Sequence, residues 1–321
     1  MSASASPRDQ DPQLTVGLDI VDFSEGVSSR RLPAAVDDIA IAEDQGFATA
    51  WIPLLGGGPD PLAVCAAASS RTRRIRLATG VLRTWGHHPV ELARAAASVA
   101  TLCEGRLVLG VGVSHRPIVE AVYGQSFSRP AAHLREYLAI LAGLLRQGEV
   151  DFRGEVFSAQ ATLDLTGVPP VAIAAAAGGP QMLAAAAELS DMVVTNMVGP
   201  RSLASHTVPV VRQAADRAGR RPPRLAAAVT VCVTEDRRGA ALFVDETLQA
   251  YARNPDYRAM LDREGVGRPS DIAIIGDERS VRTKLESLRE VGADEIIASI
   301  KAPHPTDEDR TRRFLGSLGG A

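Results

Sequence analysis

Short apolar runs alternate with amphipathic segments from residue 14 to residue 318 of this chain. Residues 14–21 (LTVGLDIV), 47–52 (FATAWI), 75–81 (IRLATGV), 106–112 (RLVLGVG), 170–175 (PVAIAA), 191–195 (DMVVT), 224–233 (RLAAAVTVCV) and 294–300 (DEIIASI) have strand length and few charges, which predicts eight buried strands. Apolar positions at helical spacing predict helices near 32–45, 61–71, 89–104, 130–147, 180–189, 201–218, 279–291 and 306–318. Asp60 is placed to cap the second, Pro89 fits the first turn of the third, and Gly46 and Gly292 stand just past helix ends. Strand–helix alternation throughout implies a parallel sheet with helices outside, because a parallel strand must return through a crossover. Eight units fit closure into an α/β fold of the (β/α)8 TIM-barrel type. An open doubly wound sheet is the alternative, but no strand runs through a G-x-G-x-x-G turn into a helix. Residues 148–160 predict a small hairpin outside the barrel. Residues 237–271 exceed one helical return and predict a helical insertion or lid after strand seven. Residues 1–13 are expected to be a disordered tail and 14–321 a single domain.

Composition adds exclusions. Hydrophobic residues make up 45%, charged residues 23%, and the net charge is −3, which gives no reason to expect a nucleic-acid or anionic-membrane partner. The 3 cysteines, Cys65, Cys103 and Cys232, are scattered in apolar runs and read as buried hydrophobes in a reducing compartment, not as disulfides or metal ligands. No metal site is expected. The N-terminus lacks the pattern of a signal peptide, so a cytoplasmic protein is expected. Of the 35 basic residues only Lys284 and Lys301 are lysines.

A barrel of this kind binds ligands at the C-terminal ends of its strands. The stretch 174–180 (AAAAGGP) opens the helix after strand five, where small residues admit close approach and helix amides favour an anion such as phosphate. A plain Gly/Pro turn is the alternative. Residues 79–89 (TGVLRTWGHHP) leave strand three; His88 reads as the residue before a proline turn and Trp85 as wall filler. Residues 110–117 (GVGVSHRP) leave strand four and bring Ser114 and His115 to a strand end, where a histidine can exchange protons near neutral pH. Asp19 and Asp22 end strand one; Asp19 alternates with apolar neighbours, and a carboxylate pointing inward would need a partner or a function. Trp51 ends strand two and could wall a flat ligand.

Three blocks together resemble the luciferase-like monooxygenases: LATGVLRTWGHHPVELARAAASVATLCEGRLVLGVGVSH, SRPAAHLREYLAILAGLLRQGEVDFRGEVF and PVAIAAAAGGPQMLAAAAELSDMVVTN. The resemblance covers residues 14–318. It implies a TIM barrel, commonly a homodimer, that uses either coenzyme F420, a 5-deazaflavin, or reduced FMN with oxygen; the sequence is most similar to the deazaflavin branch. It implies a bulge in strand three at Gly80–Val81, with a cis peptide in that branch. It places the cofactor phosphate on Ala176, Ala177, Gly178 and Gly179, and the ring near Asp19, Thr79, Gly80, Val81 and Ser114. The expected activity is hydride transfer between the deazaflavin and a small organic substrate, with His115 as proton donor or acceptor and Asp19 and Trp51 shaping the pocket. Deazaflavin dehydrogenases of sugar phosphate carry a His at the end of strand two and a Glu after strand four. Here those places hold Trp51-Ile52-Pro53 and Ser114-His115, which speaks against sugar-phosphate oxidation. The rivals are an FMN-dependent monooxygenase and a barrel that binds a ligand without redox activity.

Overall fold

The computed structural model describes residues 14–20, 31–54 and 58–319. The expectations for the 1–13 tail and for Asp22 lie outside the described residues. Eight parallel strands close on themselves: β1 (Val16–Asp19), β2 (Thr49–Ile52), β3 (Arg76–Thr79), β4 (Leu107–Gly112), β5 (Ala172–Ala176), β6 (Met192–Asn196), β7 (Arg224–Val233) and β8 (Glu295–Ile300). The ring shuts where β8 pairs with β1, with Val16 opposite Ile296 and Leu18 opposite Ala298. The helices that return the chain are α1 (Arg31–Asp44), α2 (Pro61–Ser69), α3 (Pro89–Leu102), α4 (Pro130–Gln147), α5 (Pro180–Leu189), α6 (Val208–Arg217), α7 (Glu278–Glu290) and α8 (Pro305–Gly319).

Side-chain alternation explains the layering. Leu77, Leu107, Leu109, Val111, Ile173, Val229, Val231 and Ile296 point outward into the large core against the helices. Trp51, Ala78, Val108, Ala174, Met192, Val194, Ala226 and Ile297 point inward and form a separate core in the barrel. The helices carry the expected punctuation. The Asp60 carboxylate accepts from the amides of Leu62 (2.9 Å) and Ala63 (3.1 Å), satisfying donors that a helix start leaves over. His88 does the same less tightly for Val90 (3.3 Å) and is a helix cap, as its place before Pro89 suggested.

The bottom of the barrel is sealed by one large side chain and one ion cluster. Trp51 is 1% exposed, and its indole N–H donates to Glu295 Oε1 at 2.9 Å. Glu295, itself 1% exposed, takes Arg76 on its other oxygen at 2.7 Å. Gly17 is required for this plug. A Cβ there would stand 2.8 Å from the indole nitrogen and 2.9 Å from Glu295 Oε1. A buried carboxylate is tolerable only when paired and hydrogen-bonded, and here it is both.

The structure departs from the expected elements in four places. Strand three is not continuous to residue 81: it stops at Thr79, and a short strand, Leu82–Arg83, resumes pairing with β4. The loop after β4 contains a helix, Arg116–Val122. The segment before α6 includes a π-helical turn, Leu203–Thr207. The insertion is helical as expected (Arg237–Thr247, Gln249–Ala252, Pro255–Glu264, Pro269–Ile272), but a strand, Ile274–Gly276, follows it and pairs with the end of β7. Three residues carry too little periodicity to announce themselves as a strand. The predicted hairpin is present as Glu149–Arg153 against Ser158–Thr162.

Candidate functional site at the barrel mouth

Continuing the inward alternation past each strand end gives the lining of the mouth. From β3 to β5 it is Gly80, Gly110, Gly112, Ala174 and Ala176. From β6 round to β1 it is Asn196, Thr230, Ser299 and Asp19. One arc carries nothing larger than a methyl group, and the other carries hydroxyl, amide and carboxyl groups.

The small arc is shaped by a bulge. Gly80–Val81 is a cis peptide, at the position the resemblance implied. At the bulge the β3–β4 ladder lapses, and Thr79 substitutes its hydroxyl: it accepts from Gly110 N at 2.8 Å and donates to Gly110 O at 2.7 Å. Thr79 is 0% exposed, so the structure places it behind the mouth, as the brace of the bulge. Gly110 must be glycine, because a Cβ would overlap the Thr79 carbonyl oxygen. Gly112 leaves room for Val81, whose Cγ2 would be 2.9 Å from a Cβ there, and for Ala176 at 3.1 Å. Trp51 lies underneath, with its Cβ and Cε3 3.5 Å from where a Cβ on Gly80 would be. The expectation that Trp51 walls the pocket is therefore corrected: its strand parity turns it into the barrel, where it is the floor.

Beyond β5 the chain turns through Ala177, Gly178 and Gly179 into α5. The Ala177 amide is taken by the Val194 carbonyl (3.0 Å). Gly179 is the residue before the helix; no side chain caps α5, and a Cβ on Gly179 would meet nothing within 4 Å. The corner is therefore sterically open beside an uncapped helix start, as an anion site requires. Gly178 is covered by the methyl end of Met260, and its carbonyl lies near His206 in the π-helical turn. Burial foremost, then the nearby Arg263, lowers the His206 pKa, against the raising effect of that carbonyl.

Two non-glycine residues with left-handed backbone flank this corner: Ser114 (φ +60) after β4 and Met197 (φ +54) after β6. Such residues are uncommon and gather where a fold is constrained by function. His115 follows Ser114 and precedes the helix Arg116–Val122 without capping it. Its ring lies 5.3 Å from that of Tyr257, with Tyr257 Oη 3.5 Å from His115 Nε2. Tyr257 Oη also accepts from Asn196 Nδ2 at 3.3 Å. Tyr257 belongs to the insertion helix Pro255–Glu264, which lies across the ends of β4, β5 and β6. Its residues 257, 260, 261 and 264 share one face. Tyr257 meets His115 and Asn196, Met260 meets Gly178, and Leu261 is fully buried. The Glu264 carboxylate accepts from the amides of Arg201 (3.1 Å) and Ser202 (2.7 Å).

On the polar arc, Asp19 keeps some accessible surface but sits deep in the mouth, and burial raises its pKa to about 6. Lys301 and a hydrogen bond from Ser299 oppose that rise. Burial lowers the Lys301 pKa, while Asp19 and Glu308 hold it up. Tyr251 of the insertion also faces Asp19; burial first and the carboxylate second raise its pKa, and Arg83 offsets them. Asn196, Tyr257, His206, Met260 and Lys301 were not anticipated. Lys301 carried a signal, being one of two lysines and placed just past a strand end. Tyr257 and Met260 carried none, since nothing in 237–271 says which face meets the barrel.

The fold and this mouth define a β/α barrel with a candidate ligand site at the C-terminal ends of its strands. The luciferase-like monooxygenase family model matches residues 16–295, and the chain belongs to that family. It is 28% identical over 306 residues to a 5,10-methylenetetrahydromethanopterin reductase of Methanolobus tindarius, covering 86% of this chain and 92% of that one. Among solved structures, the coenzyme F420-dependent tetrahydromethanopterin reductase of Methanopyrus kandleri superimposes with a TM-score of 0.80 at 20% identity, covering 95% and 98% of the two chains. The FMN complex of a type II Baeyer–Villiger monooxygenase from Pseudomonas putida gives 0.75 at 19% identity, covering 96% and 98%. No described helix is long and apolar enough to cross a membrane.

Proposed function

We propose that this protein is a coenzyme F420-dependent oxidoreductase that transfers a hydride between the deazaflavin and a small organic substrate. The observation that carries the reading is the β3–β5 arc: an inward surface of glycine and alanine, next to an uncapped helix start at a sterically open corner. A flat ring fits against the small arc, and a phosphate fits on the amides that follow.

The residues present suit such a group. Gly178 and Gly179 at the uncapped start of α5 would hold the phosphate, with Ala176 and Ala177 bordering it. Gly80, Val81, Gly112 and Ser114 would bear on the ring, with Thr79 bracing the bulge behind them. The deazaflavin supplies the hydride chemistry when bound. The chain orients it, keeps water out from below through Trp51, and exchanges the substrate proton at His115 Nε2, which the Tyr257 hydroxyl steadies. Asp19 gives the opposite side of the mouth a second proton-exchanging group.

The second reading is a monooxygenase using reduced FMN, favoured by the FMN-bound neighbour with the same barrel. The two cofactors share a three-ring plane and a phosphate, so one cradle suits both. A binding titration followed by cofactor fluorescence decides between them. Micromolar or tighter affinity for F420 with weaker binding of FMN is expected. The reverse order overturns the deazaflavin assignment, and binding of neither overturns both.

A further inference from the structure

The seam where β8 meets β1 brings together an acid, a hydroxyl and a buried amine. Ser299 and Asp19 both point inward from neighbouring strands, and Lys301 follows directly after β8. The Lys301 ammonium donates to Ser299 Oγ at 3.1 Å, and the β1–β8 register carries Ser299 alongside Asp19, where its hydroxyl helps hold down the carboxyl pKa. Lys301 is only 4% exposed. A lysine held this deep gives up most of its hydration, which is costly without a compensating charge. Asp19 is the first compensating carboxylate, with Glu308 behind it, and Asp19 itself would not remain ionised in a desolvated mouth without a nearby cation.

We infer that Lys301, acting through Ser299, is the positioning residue of a second proton site in the mouth, with Asp19 as its proton carrier and an uncharged O–H or N–H group of the substrate as its ligand. The inference rests on reading the mouth as an oxidoreductase centre. An uncharged ligand follows from the charge balance: Asp19 and Glu308 both bear on Lys301, so a substrate anion here would find no spare positive charge. Other groups face the pair. Tyr251, from the insertion, approaches Asp19, and Glu308, on α8, approaches Lys301. Neither replaces Lys301, because a tyrosine hydroxyl carries no positive charge and Glu308 is an acid.

The test follows Asp19 directly, by the carboxyl ¹³C shift of aspartate-labelled protein across pH, with its signal assigned through its loss in Asp19→Asn. In Lys301→Met the Asp19 midpoint is expected to rise by about one pH unit or more. Lys301→Arg, which keeps the charge, should restore most of the difference. Ser299→Ala keeps both charges and removes only the bridge, so it should give a smaller rise in the same direction; it also serves if Lys301→Met does not fold. An unmoved midpoint in these variants overturns the role of Lys301. F420 and FMN titrations of the same samples separate the two ideas. A well-bound cofactor with an unmoved Asp19 sinks only the proton site, whereas failure of the native protein to bind either cofactor sinks the oxidoreductase reading on which it stands.

Discussion

The two arcs of the mouth are built on opposite principles. From β3 to β5 the inward positions are glycine and alanine, and the shape of the surface is set by backbone. From β6 round to β1 they are Asn196, Thr230, Ser299 and Asp19, and the character of the surface is set by side chains. A backbone surface is rigid and intolerant, since any added atom collides with something that cannot move. A side-chain surface is electrostatically tuned, since any altered group changes charge or hydrogen bonding while the fold remains. Substitutions on the first should therefore change structure and cofactor affinity. Substitutions on the second should change pH dependence and turnover.

The largest effect belongs to Gly110→Ala. Its new methyl meets the Thr79 carbonyl oxygen, which is backbone in the adjoining strand, and the Thr79 brace is lost with it. A cost above about 3 kcal/mol is expected, at the upper end of overpacking effects, read as a fall in the urea midpoint. If Gly110→Ala unfolds at the native midpoint, the small arc is not the rigid surface described.

Asp19→Asn comes next and probes the other arc. Because folding raises the Asp19 pKa to about 6, its protonated form contributes stability that is fully present below the unfolded value near 3.8 and is lost as pH climbs through about 6. The asparagine variant lacks that titration. Its stability relative to the native protein should thus grow by about 1–3 kcal/mol between pH 4 and pH 7, the upper figure being discounted for the solvent that reaches the group. Thermal unfolding of both proteins across that range gives the difference, and a flat difference refutes the buried state of Asp19. With a substrate in hand, turnover should fall about 10²-fold if Asp19 carries a proton in the reaction.

How much of this was legible in sequence divides along the same line. The eight strands, their helices and the Gly-Gly corner could be read because strand periodicity and turn residues are local signals. Asp19 was legible for the same reason, as a carboxylate among apolar alternating neighbours. Trp51 was misplaced as a pocket wall because, although its backbone pairs with Asp19, its indole runs down to Gly17 and Glu295, a direction that strand pattern does not encode. The bulge could not be deduced from spacing: Thr79 looks like an ordinary strand residue until Gly110 is found opposite. Lys301, Tyr257 and Met260 were out of reach as partners, since each meets its contact across a closure or an insertion whose docking face no local pattern encodes.

Gly179→Val tests the small arc where it is open. A Cβ on Gly179 meets nothing within 4 Å and φ is −81°, so the fold should tolerate the change with a shift under about 0.5 kcal/mol. A ligand phosphate seated on the amides would collide with the new side chain, and cofactor affinity should drop about tenfold or more. Unchanged affinity would move the phosphate away from this corner.

The smallest effect is expected of Tyr257→Phe, which is informative because it lies between the arcs. The tyrosine hydroxyl is 3.5 Å from His115 Nε2 and accepts from Asn196, so it links the end of β4, beside the small arc, to the start of the polar one at β6. Removing one oxygen leaves the ring packed and the helix Pro255–Glu264 anchored by Met260, Leu261 and Glu264. Stability should change by about 1 kcal/mol or less, the ordinary worth of one hydrogen bond. Cofactor affinity should stay within about twofold, because that helix meets the Gly178 corner through Met260 and not through residue 257. The His115 imidazole and the Asn196 amide should sense the change, as shifts in their side-chain NMR signals. If cofactor affinity falls instead, the insertion helix acts on the cradle as a unit, and the two arcs are mechanically joined through Tyr257.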